Sequence, residues 1–241
     1  MTLDASVPLF PLAQMTPQSA TLRKVAAILS SPAGLAAPPQ TVQSGAGRWG
    51  VTYRNIRVAT PAQRLAARAL LSRLTSPLRP VYVSPMEWLV APRRLAGLPP
   101  RAPGDGRTPY DDFATFDDTS EFAGPYGDFT ISDPAASGAV YLYVACNTAG
   151  VLLQAGQVAS IGERLYQIET AVADTGIVPN GQKITIWPPL RADASVDDVV
   201  EAEEPVLRAR LDTRSAEMAI EMTQARYGYF DLAFVEDDWT L

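Results

Sequence analysis

The chain has 241 residues, 47% of them apolar and 19% charged, with 20 basic against 26 acidic side chains and a net charge of −6. That is the composition of a globular protein long enough to bury one large core or two small ones, and its start reads as no secretory signal. It has no histidine and one cysteine, Cys146, which excludes His-dependent triads, imidazole-ligated metals, Cys-cluster sites and an intrachain disulfide.

Two lysines, Lys24 and Lys183, stand against eighteen arginines, and neither follows a phosphate-cradling glycine loop. The acidic balance argues against general nucleic-acid binding. No apolar run reaches the roughly 20 residues of a membrane helix. No cofactor and no metal are expected. Twenty-one prolines and 16 glycines predict a β-rich chain with long ordered loops, because proline breaks helices and collects in turns and at sheet edges.

Residues 1–45 read as an irregular N-terminal arm, interrupted by prolines at 8, 11, 17, 32, 38 and 39. Within it, Leu22, Val25, Ala26 and Leu29 recur at helical spacing, so a short helix over Ser19–Leu29 stands beside a mobile arm as the alternative. From Arg48 to Val58 the period becomes two. Trp49, Val51 and Tyr53 alternate, and Ile56 and Val58 resume after a slip at Arg54–Asn55, which predicts a bulge.

Thr60-Pro61-Ala62-Gln63 then combines an N-cap threonine, proline at the first helical position and glutamine three residues after the cap. A helix is predicted from Pro61 to Leu74, with Leu65, Ala66, Ala69, Leu70 and Leu74 as its apolar stripe and Arg64, Arg68 and Arg73 off it. Pro77 ends it. Val81–Val83 reads as a short strand. Residues 98–125 form a turn-rich acidic connection carrying Asp111, Asp112, Asp117, Asp118 and Glu121 among aromatic side chains.

From Asp128 to Leu211 short strands and turns repeat. The predicted strands are Asp128–Ser132, Ala139–Ala145, Val151–Gln154, Val158–Ile161, Arg164–Ala173, Lys183–Trp187 and Val206–Leu211. That spacing predicts a small barrel or sandwich. Glu217–Thr223 and Tyr229–Val235 read as a closing antiparallel pair, followed by an exposed acidic tail from Glu236.

Three stretches have a family character: Gly150–Gly156, Ile161–Ile168 and Ile184–Arg191, the last containing Trp187-Pro188-Pro189-Leu190-Arg191. Together with the Trp49 strand, the capped helix ending Leu70-Leu71-Ser72-Arg73-Leu74 and the closing segment Met218–Val235, they resemble the distal tail protein of long-tailed bacteriophages. The likeness runs from about Arg48 onward and does not include the first 45 residues. It implies a mainly β fold, a sandwich or barrel with one packed α-helix, plus a second small β-barrel domain. It places a ring-forming domain at 46–114 and 212–241, and an inserted barrel at 115–211. It further implies a structural protein of the virion tail tip, made in the host cytoplasm. Six copies would form a ring between the tail tube protein and the hub or fibre proteins, leaving a channel for transient passage of DNA. No stable nucleic-acid or membrane binding and no catalytic residue follow from it.

Individual features carry two readings each. Trp187, Pro188 and Pro189 either cap the barrel end, two prolines having removed two strand donors, or present an aromatic docking edge. Arg64, Arg68 and Arg73 either face water or pair with acids of a neighbouring copy, from its 111–121 loop or its C-terminal tail. These six residues are the candidate subunit interface. The aspartates at 111–118 read as solvated more readily than as a catalytic carboxylate pair, and Asp197, Asp198, Glu201, Glu203 and Glu204 as a charged face or linker. Cys146 reads as a small buried hydrophobe. Two other function classes stay open: a carbohydrate- or receptor-binding tail module, marked by an exposed aromatic platform on the barrel, and a carboxylate-dependent cell-wall hydrolase.

Overall fold

The computed structural model describes residues 4, 6–30, 41–74, 79–99, 128–174, 181–212 and 228–237, with backbone alone at 26–30, 41–46 and 88. The chain is mainly β and divides into two compact units, one of residues 87–205, the other of 4–86 and 206–241. The inserted unit thus begins at 87 and ends at 205, against the expected 115 and 211.

The first unit in chain order is an antiparallel sheet of β1 (Ser19–Ser30), β2 (Thr41–Val58), β3 (Val81–Val83), β10 (Leu207–Leu211) and β11 (Gly228–Glu236), in the spatial order β1-β2-β11-β10-β3. The arm expected over 1–45 is therefore corrected. Ser19–Ser30 is neither helix nor free arm, because it pairs along its length with β2, from Ser19↔Arg54 to Ser30↔Thr41. Its apolar positions fit a helix face locally, and the ladder to β2 overrides that local pattern. Farther upstream, Phe10 N–H donates to Tyr82 O and Tyr82 N–H to Pro8 O, which lays residues 8–10 parallel against β3.

The core of this unit is aromatic. Phe10, Tyr53 and Phe234 meet with ring centroids 4.9, 5.8 and 5.7 Å apart, tilted or edge-on, the arrangements that ring quadrupoles prefer. The Tyr53 hydroxyl donates to the Ser84 carbonyl. Trp49, Val51, Tyr53 and Ile56 are all buried, so the phase slip is real. Asn55 sits at φ 54°, its N–H donates to Asp231 Oδ1 at 2.8 Å, and Arg54 and Asn55 oppose the single residue Asp231 between the pairs Tyr53↔Leu232 and Ile56↔Phe230. This is a bulge in which asparagine takes the left-handed conformation.

Helix α1 spans Pro61–Leu74 as expected. Its cap is reciprocal: Gln63 N–H donates to Thr60 Oγ1 at 3.2 Å, and Thr60 N–H to Gln63 Oε1 at 3.1 Å. Its buried stripe is Ala67, Leu70, Leu71 and Leu74. The expected stripe was rotated, since Leu65 is 66% exposed and Ala69 faces solvent.

The inserted unit opens with a 3-10 turn at Trp88–Val90 and a one-turn helix α2 (Pro92–Leu95), then forms a nearly closed six-stranded barrel. Its strands are β4 (Phe129–Ile131), β5 (Tyr141–Cys146), β6 (Val158–Ile161), β7 (Arg164–Ala173), β8 (Gly181–Trp187) and β9 (Val200–Glu201), in the order β4-β5-β8-β7-β6-β9. A bridge between Thr130 and Val199, with Ile131 N–H donating to Asp198 O at 2.8 Å, joins the two ends. The interior is aliphatic around Phe129 and Tyr166.

Two expected barrel strands are corrected. Within Val206–Leu211, Leu207–Leu211 is a strand, but it pairs with β3 and β11 in the other sheet. Val151–Gln154 is extended without a ladder: the buried Gln182 amide stands in for a neighbouring strand, accepting from Leu153 N–H at 2.9 Å and donating to Leu153 O at 3.0 Å. The expected strand Glu217–Thr223 and nearly all of the acidic connection 98–125 lie outside the described residues.

Candidate functional site

The six candidate interface residues fall into two groups on different units. On α1, Arg68 and Arg73 are exposed and Arg64 is half-buried. The Arg73 guanidinium reaches Ser6 O at 3.4 Å. The outward side of the helix therefore carries cations beside the exposed Leu65. The acids proposed to meet them stand differently. The 111–121 loop lies outside the described residues. Glu236 and Asp237 are each 1% exposed, which corrects the exposed acidic tail. Asp237 pairs with Arg210 at 2.9 Å and Arg208 at 3.5 Å, and Glu236 Oε2 accepts from Trp49 N–H at 3.0 Å. The adjoining strands fold these carboxylates inward because each finds a donor there.

On the barrel, β8 ends at Trp187 and the Trp187–Pro188 peptide is cis. Pro188 and Leu190 are buried, while Trp187 and Pro189 are half-buried. Leu190 N–H donates to Ala139 O at 2.8 Å, Gly138 N–H to Leu190 O at 2.7 Å, and Arg191 N–H to Tyr166 Oη at 3.1 Å. This stretch is stitched to the 133–139 loop and caps the barrel, leaving part of the indole and Pro189 at the surface.

Cys146 is buried in the barrel wall, its thiol 3.4 Å from Gln182 Oε1. Burial pushes its pKa up to about 11, so at neutral pH it is a thiol and a poor nucleophile.

Two arrangements are legible only in three dimensions. At the start of the barrel, Arg93 Nη1 pairs with Asp128 Oδ1 at 2.9 Å and Arg93 N–H donates to Glu203 Oε1 at 2.6 Å. Glu201 Oε1 accepts from the N–H groups of Glu203 and Glu204 at 2.9 and 3.1 Å. Glu201 and Glu203 thus tie β9 and α2 together, which corrects the reading of these two residues as part of a charged face or exposed linker. Burial, above all, raises the Glu203 carboxyl above its ordinary value.

The second arrangement is on the outside of the barrel. Register places Tyr141 beside Thr185 and Thr170, and Tyr143 beside Lys183 and Val172, in two rows across β5, β8 and β7. The Lys183 ammonium lies 4.6 Å from the Tyr141 ring centre and 5.5 Å from that of Tyr143. The two rings meet edge-on at 6.0 Å. The only sequence signal for this face was the period of two in each strand.

No model of a known protein family matches the chain, and no curated protein is significantly similar to it.

Proposed function

We propose that the chain is a structural protein of a phage-like tail tip that works by assembling into a ring. The observation that carries this reading is the insertion topology. Strands from both ends of the chain build one antiparallel sheet with a capped helix, and a nearly closed barrel is inserted between β3 and β10. That is the plan the resemblance implies. The outward face of α1, with Arg68, Arg73 and the 66% exposed Leu65, is the surface we assign to a neighbouring copy. A head-to-tail ring needs two different complementary surfaces, and a cationic helix in a chain of net charge −6 supplies one of them. An acidic channel would repel passing DNA and keep it from adhering.

Light scattering on the purified chain tests this, followed by electron microscopy of the particles. The expected species is about six times the 25.9 kDa protomer, with a central hole, and Arg68→Glu with Arg73→Glu shifts the mass to the protomer at moderate salt. A protomer that stays monomeric up to about 100 µM and in the presence of tail-tube rings, or a channel lined by arginine, counts against the reading.

A further inference from the structure

The outer face of β5, β8 and β7 departs from what a solvated barrel wall needs. Tyr141 is 49% exposed and Val172 62% exposed. Lys183 is one of two lysines in a chain of net charge −6. Its ammonium rests over the two tyrosine rings, and no carboxylate pairs with it among the described residues. Stacking on the rings fixes the cation in place without neutralising it. Around it stand hydroxyls: those of Tyr141 and Tyr143, and the Thr170–Thr185 pair, bonded to each other at 2.8 Å. A cleft of about 620 Å³, lined by Asp133, Ser137, Tyr141 and Tyr143 among others, opens on the same strand. That volume lies within the range of about 300–1,000 Å³ typical of small-ligand sites.

We propose that this face binds an anionic saccharide. The apolar face of a sugar ring stacks on Tyr141, its carboxylate or phosphate meets the Lys183 ammonium, and its hydroxyls exchange hydrogen bonds with Tyr143 and Thr185. Charge complementarity selects the occupant: a fixed cation with no counter-ion among the described residues calls for an anion, and phenol rings set among hydroxyls, exposed at Tyr141 and half-buried at Tyr143, call for a surface that is apolar on one side and polar at its edge. A second copy of the chain is a poorer match. A stable dimer buries about 800 Å² per partner over some 20–30 residues, whereas this face offers six side chains. The carbohydrate-binding class left open by the sequence thus acquires residues and a ligand charge. The site is independent of ring assembly, because a monomer presents it equally.

Binding of fluorescently labelled tetragalacturonate to the full-length chain tests the proposal, with maltotetraose as the neutral probe and inorganic phosphate as the bare anion. The expected result is saturable binding of tetragalacturonate at low salt, at least about tenfold tighter than maltotetraose and not displaced by equimolar phosphate. Lys183→Gln and Tyr141→Ala should each weaken it about tenfold or more, and Lys183→Arg should retain it. Because these side chains are on the surface, all three variants should melt as the wild type does. Failure of tetragalacturonate to bind, equal affinity for maltotetraose, displacement by phosphate at equal concentration, or unchanged binding by Lys183→Gln each overturns the proposal.

Discussion

Gln182 shows how one side chain can replace a strand. Its amide satisfies both backbone groups of Leu153, which is 2% exposed, and so anchors a segment that has no ladder of its own. An apolar residue of similar size leaves a buried donor and a buried acceptor without partners, at a cost of about 1–3 kcal/mol each. Gln182→Leu should therefore lower stability by about 2–4 kcal/mol, read as a shifted urea midpoint at unchanged slope. Glu203 makes the opposite case. Burial holds its carboxyl above the ordinary glutamate value of 4.5, so folding penalises the charged form. The penalty is absent below pH 4.5, where both states are protonated, and is complete once the pH exceeds the folded value. Glu203→Gln keeps an acceptor for Arg93 N–H and removes the charge. It should raise the melting temperature at pH 7 and leave it nearly unchanged at pH 4. An equal shift at both pH values would refute the assignment.

At the scale of elements, α1 and β1 mark the limits of local information. The boundaries of α1 were legible because its signals are covalently close. The Thr60–Gln63 exchange closes within four residues, and Pro61 sets the backbone of the first turn. Thr60→Ala should cost about 1 kcal/mol, measurable as loss of chain stability, and Thr60→Asp should restore most of it. The side that α1 buries was less legible. Leu65 and Leu71 are equally apolar in the sequence, and only tertiary packing decides that Leu71 goes in. Strand β1 was hidden because its partner begins eleven residues after it ends, and nothing within Ser19–Ser30 encodes that pairing. Val206–Leu211 reads as a strand from its alternation, which is local, while its sheet is not. The same reason hid the Tyr141–Lys183–Val172 face: each residue was visible, and the register across three strands was not.

At the scale of the whole molecule, the sheet is assembled from both ends of the chain and the barrel enters it at a hairpin. β3 and β10 are antiparallel neighbours, with Val83 opposite Leu207 and Val81 opposite Ala209, so the two chain ends of the insertion leave from the same end of one strand pair. Each unit also has its own core: the Phe10–Tyr53–Phe234 cluster in the sheet and the aliphatic interior of the barrel. Replacing 87–205 by Asn-Gly leaves a six-residue connection between Val83 and Leu207 and should therefore leave a folded sheet unit, since a short loop lowers the entropy lost in joining β3 to β10. Near-UV circular dichroism reads the aromatic cluster directly. The shortened chain should keep that signal and unfold cooperatively, and the isolated 87–205 segment should melt in a transition of its own. A shortened chain with β-type far-UV dichroism but no near-UV signal would show that the sheet needs the barrel to order its core, and the two units would then be one folding unit joined through the β3–β10 pair.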